Sequence, residues 1–172
     1  METAIVSLIC IAVILSGGLS LAQTAVLSAD HISVEWKKME TRSTDMANTA
    51  ISATAVADQG TSGFDINVKN TGQRVLGNFS KWDVVVQYYM ASGTYYIKHL
   101  SYVAGTSPGN DEWAVNAIQW NGSTEVFEVG LLDPKEDLKL RIKPNPAVGP
   151  GKTILVVIAT DQGAITSIQY TK

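Results

Sequence analysis

The sequence predicts an α+β chain in which a long apolar N-terminal helix leads into an antiparallel, immunoglobulin-like β-sandwich. Two observations carry this reading. From Thr3 to Ala29 there are 27 consecutive residues without a formal charge. Beyond Ile51 the period changes, and seven to nine short segments, mostly alternating apolar and polar, are separated by turn-forming residues, which is the pattern of a half-buried antiparallel sheet. The expected division is an assembly helix over residues 1–50 and an outer domain over residues 51–172.

The helix comes first. An uncharged stretch of this length makes a helix of roughly 40 Å, longer than the ~30 Å hydrocarbon core of a bilayer. It contains no proline, and Asp30, Glu35, Lys37, Lys38, Glu40, Arg42 and Asp45 continue a helical pattern to about Ala50. Three uses compete. A cleavable secretory signal has a small-residue site at Ser20-Leu21-Ala22 but lacks a basic start, since no Lys or Arg precedes Lys37. A permanent single-span anchor accounts for the apolarity alone. Packing with copies of itself accounts for one further detail: Ala12, Ser16, Ser20, Thr24 and Ser28 recur every four residues, beside Gly17 and Gly18. Residues four apart share a helical ridge, and small side chains there let a second helix approach closely. Ile5, Leu8 and Ile9 supply apolar contact in such a bundle. Glu2, one residue from the start, is expensive in a packed core unless it pairs, and a neighbouring chain's amino terminus is a partner for it.

The strands follow in order. Phe64, Ile66 and Val68 alternate with Asp65, Asn67 and Lys69 and run into the turn Asn70-Thr71-Gly72. Residues 82–90 and 94–103 form a hairpin across Ala91-Ser92-Gly93. Residues 113–120 and 124–129 flank Asn121-Gly122, a specific short hairpin signal. Residues 138–143 alternate cleanly. Residues 152–160 are nearly all apolar, as in a central strand, and turn at Asp161-Gln162-Gly163 into residues 164–170. Pro144, Pro146 and Pro150 fall between strands, where a missing amide hydrogen does no damage.

The inventory of reactive residues argues against catalysis. Two histidines, His31 and His99, and the single Cys10 cannot build the familiar zinc, iron–sulfur or disulfide frameworks within one chain. No nucleophile elbow and no phosphate-binding loop occur, so no catalytic residue, cofactor or metal is assigned. Asn110, Asp111 and Glu112 lack the spacing of a calcium loop. Thirteen Lys and Arg against 16 Asp and Glu, with no basic block, exclude a nucleic-acid module. Asn78-Phe79-Ser80 and Asn121-Gly122-Ser123 fit the N-glycosylation pattern, which matters if the domain lies outside the cell.

The charge-free N-terminus, the amphipathic continuation and the strand Phe-Asp-Ile-Asn-Val-Lys-Asn-Thr-Gly ending at Gly72 together resemble the archaellins, the archaeal-type flagellins within the type IV pilin-like superfamily. The resemblance covers the whole architecture. It implies a subunit made with a short basic leader, cleaved by a prepilin-type peptidase, stored in the membrane, and polymerised with its N-terminal helices in the core of an extracellular motility filament. Export and motor proteins would then be its partners during assembly. Two features depart from the pattern: no basic leader precedes Met1, and Glu2 is more characteristic of type IV pilins. An adhesive pilin and a membrane-anchored archaellum accessory or stator protein that binds the cell envelope stand as alternatives.

Overall fold

The computed structural model describes residues 2–60, 63–125, 128 and 130–172, with the side chains at 2–4, 21–22, 24–31 and 55 outside the description. The chain divides into two compact units, Met1–Thr44 and Asp45–Lys172. Helix α1 runs over Glu2–Asn48, with no proline to interrupt it. It ends two residues before the limit expected from the charge pattern.

Among the described residues nine strands follow: β1 Ile51–Asp58, β2 Phe64–Asn70, β3 Asp83–Tyr89, β4 Tyr95–Tyr102, β5 Glu112–Trp120, β6 Ser123–Thr124, β7 Asp137–Lys143, β8 Thr153–Ala159 and β9 Ile165–Thr171. The alternating segments become strands because a period of two delivers every second side chain to one side. On β7 the core receives Leu138, Leu140 and Ile142; on β3 it receives Val84, Val86 and Tyr88; on β8, Ile154, Val156 and Ile158. Each fully buried aliphatic or aromatic side chain is worth roughly 1.5–3 kcal/mol relative to exposure. The core they form with Phe64, Ile66, Val68, Leu100 and Trp113 therefore dominates the stability of this unit.

The strands hydrogen-bond in one path, β1-β2-β7-β5-β4-β3-β8-β9, with β6 paired to β5. The path bends back so that its ends approach: Ala53 N on β1 donates to Thr166 Oγ1 on β9 at 3.0 Å, and the Phe64 and Tyr170 rings meet edge to face at 5.8 Å. The architecture is thus α+β with a large, nearly closed sheet. Pairing is antiparallel except at β4–β5, where Ser101 and Tyr102 lie parallel to Glu112 and Trp113.

Two local expectations change. Strand β1 is absent from the sequence reading, because Ala53, Ala55 and Ala57 give it little apolar contrast; it forms by pairing along β2. The strand expected over residues 124–129 is confined to Ser123–Thr124. Glu125 still donates its amide to Ile118 O at 2.8 Å, and residues 126, 127 and 129 lie outside the described set.

Candidate functional site

The described part of α1 exposes apolar side chains on every side. Ile5, Val6, Leu8, Ile9, Ile11, Val13, Ile14, Leu15 and Leu19 are each more than half exposed, and Ala12 and Cys10 are exposed as well. A helix apolar all round is stable only where something other than water surrounds it. Covering these nine side chains is worth more than ~10 kcal/mol gross relative to water. Polar atoms on the same stretch are turned inward. Ser16 Oγ donates to Val13 O at 3.0 Å and Ser20 Oγ to Ser16 O at 2.9 Å, so both hydroxyls bond to their own helix and leave small side chains on its surface. A Cβ added at Gly17 or Gly18 would meet nothing within 4 Å. Among the described residues nothing requires glycine there, although each costs about 1 kcal/mol of helix stability relative to alanine.

Among the described residues no helix is long and apolar enough to cross a membrane; the uncharged stretch read from the sequence extends into side chains outside that set. Glu2, Thr24 and His31 belong to those, and their side chains lie outside the description. Further along, charge returns as an exposed Lys38–Glu35 pair at 2.7 Å, and Trp36 and Met39 stand exposed.

Within the second unit, the turn after β2 secures the last turn of α1. Asn70 is fully buried. Its Nδ2 donates to Arg74 O at 2.8 Å and Leu132 O at 3.0 Å, and its Oδ1 accepts from Gly72 N at 3.0 Å. So held, the turn aims its amides at the helix end: Gln73 N donates to Asn48 O at 2.9 Å, and Thr71 N and Gly72 N to Ala50 O at 2.9 and 3.0 Å. The bond to Asn48 O occupies a carbonyl that a helix C-terminus leaves without a partner, and those to Ala50 O fix the exit of the chain into β1. The approach is so close that a Cβ on Gly72 would lie 2.6 Å from both Ala50 N and Asn48 O. Arg74 meets Asp45 in an ion pair, and Thr49 Oγ1 lies 2.9 Å from Gln162 Oε1 on the β8–β9 turn. The sequence displayed Asn70-Thr71-Gly72 as a turn; that it is a socket for residues 45–50 required the fold.

The other sequence candidates fall on the surface of this unit. Asn78 (φ 48°) and Asn121 (φ 49°) occupy left-handed turn positions, and both are exposed. His99 Nε2 lies 2.9 Å from Asp83 Oδ1, both exposed. The carboxylates of the 110–112 loop are engaged: Asp111 Oδ2 pairs with Lys98 Nζ at 2.6 Å and Oδ1 accepts from Asn145 N at 2.7 Å, while Glu112 Oε2 accepts from Gly109 N at 2.7 Å. Of the tryptophans, Trp82 and Trp113 are buried and Trp36 and Trp120 exposed.

Among the described residues three ionisable groups are perturbed. Burial pushes the Tyr88 hydroxyl up to about 12, with Asp111 and Tyr96 adding to the shift; the hydroxyl donates to Pro146 O at 2.7 Å. Burial raises Glu136, against the lowering effect of the Asp133 amide that donates to it at 2.7 Å, and nearby Asp133 and Glu125 raise it further. Arg141 is raised by its two-pronged bond to Asp65, at 2.6 and 2.9 Å. Each is explained by folding and none faces a reactive partner.

No protein-family model and no curated protein matches the chain in sequence. In three dimensions the fold is that of archaellum proteins. Over 99% of this chain and 91% of the other, it resembles the subunit of the archaeal flagellum of Methanospirillum hungatei strain JF1, with a TM-score of 0.54 at 15% identity. Over 71% of this chain and 99% of the other, it resembles the archaellum periplasmic stator protein FlaG of Sulfolobus acidocaldarius, with a TM-score of 0.50 at 16% identity. The expected likeness to archaellins thus holds at the level of fold.

Proposed function

We propose that this chain is an archaellum component, and specifically a structural subunit that polymerises through its N-terminal helix into a cell-surface motility filament. The observation that supports it best is the all-round apolar exposure from Ile5 to Leu19, together with Gly17 and Gly18, where an added Cβ would meet nothing within 4 Å among the described residues. The fold likeness to a filament subunit extends over nearly the whole chain, helix included.

In this reading residues 1–50 form the assembly helix and residues 51–172 the outer domain. Before assembly the helix resides in the membrane, where its backbone is satisfied internally. On assembly it exchanges lipid for neighbouring helices, and Ala12, Ser16, Gly17, Ser20 and Thr24 allow close approach. One repeated contact that does not close on itself then generates an open helical polymer. Glu2 pairs with a neighbouring amino terminus, and the exposed turns at Asn78 and Asn121 accept glycans. Export and motor proteins of the archaellum are the transient partners. No catalytic step is assigned.

The stator-like reading is supported by the likeness to FlaG, which is confined to 71% of this chain. Shearing of cells followed by fractionation separates the two. A filament subunit dominates the sheared extracellular material, whereas an anchored stator stays with the membranes. Recovery only in the membrane fraction would sink the filament reading.

A further inference from the structure

The outward faces of the sheet differ sharply in charge. On β2 and β7 the alternate positions hold charge: Asp65, which is buried, and the half-buried Lys69, Lys139 and Arg141, with Arg141 paired to Asp65. On β4, β3, β8 and β9 the outward rows read Ile97–Gln87–Leu155–Gln169 and His99–Val85–Val157–Ser167 across the four strands. The only charge-bearing side chains on this second face are Asp83 and His99, bonded to each other. Ile97 and Ile165 are 62% and 67% exposed, and Tyr89 and Tyr95 nearly half.

Four strands of seven or eight residues span roughly 20 by 23 Å, or some 450 Å² in projection. That is the size of a functional patch on a monomer, about 300–600 Å², yet below the ~800 Å² per partner of a stable interface between free proteins. A face of this size suits a partner already held beside it, since tethering supplies the effective concentration that area does not. Edge-to-edge addition is blocked. Beyond Ser101 and Tyr102 the outer edge of β4 does not pair with β5, and Lys98 lies across it, its ammonium on Asp111 and on Asn145 O. An inward-pointing charge on an edge strand is a guard against strand addition.

We infer that the face formed by β4, β3, β8 and β9 packs against the outer domain of a neighbouring copy of this chain, the contact repeating along the polymer. The inference rests on the filament reading, which supplies the tether. It is tested in the full-length protein by replacing Ile97, or separately Ile165, with the photoreactive residue p-benzoylphenylalanine, and Lys139 on the charged face for comparison. Both isoleucines are exposed, so the probes leave the core intact. In the polymer, light is expected to join copies from either isoleucine position several-fold more than from Lys139. If polymer forms and the probes at Ile97 and Ile165 join copies no more than Lys139 does, or join a different protein, the inference is overturned while the filament reading stands. If no polymer forms yet those probes still join copies, the filament reading fails and the pairing face stands. Absence of both polymer and crosslink overturns both.

Discussion

At Asn70 one buried amide serves two carbonyls and an N–H. Removing it orphans groups that cost about 1–3 kcal/mol each when buried without a partner. Asn70→Ala is therefore expected to lower the unfolding free energy by about 3 kcal/mol, read in urea with the fluorescence of buried Trp82 and Trp113. Gly72→Ala acts by steric contact rather than lost bonding. Backbone atoms 2.6 Å from the new Cβ cannot rotate away, so the turn and the helix end must separate, at about 2 kcal/mol or more. Hydrogen exchange should show the loss first at the amides of Thr71, Gly72 and Gln73. Glu136 sets a pH dependence. Its folded pKa is raised, chiefly by burial, so the folded state holds its proton more tightly than the unfolded state does. This contribution is present below the unfolded carboxyl pKa and is lost as pH rises through the folded one. Glu136→Gln keeps an acceptor for Asp133 N and removes the charge. It is expected to gain stability relative to wild type as pH rises from 4 to 7, measured by thermal unfolding across that range; an unchanged difference between the two proteins would contradict the assignment.

At the scale of elements, α1 carries the assembly claim. Gly17→Leu with Gly18→Leu adds side chains at positions where a Cβ meets nothing within 4 Å and improves intrinsic helix propensity by about 1 kcal/mol per site. The single chain should keep its helical circular dichroism, while polymer yield by sedimentation falls severalfold. Unimpaired polymer from this variant would remove the close-approach argument. The strands show which physical signals a sequence carries. Strands β2, β7 and β8 were legible because large apolar residues contrast with their polar neighbours or run nearly unbroken. Strand β1 was not, since three alanines present almost no contrast and its conformation is dictated by β2. The β4–β5 parallel pair and the approach of β1 to β9 depend on residues distant in the chain, and no local period encodes them. For the same reason Asn70-Thr71-Gly72 was visible as a turn but not as a socket, its partners being Asn48, Ala50 and Leu132.

For the whole molecule, the composition is partitioned by environment. The first unit begins with an uncharged stretch whose described apolar side chains, from Ile5 to Leu19, are exposed, and the second closes its own core within a single sheet path. Such a chain satisfies its second unit in water and its first only among other apolar surfaces. Copies of itself meet that need without limit to number. The most direct test is an electron cryomicroscopy reconstruction of the native assembly at a resolution that traces side chains. The account predicts a polymer whose axis is lined by the helices of successive subunits, with Ile5 to Leu19 buried between them and Gly17 and Gly18 at the closest approaches. A polymer with these residues facing solvent, or a particle holding the chain as a single copy, would contradict it.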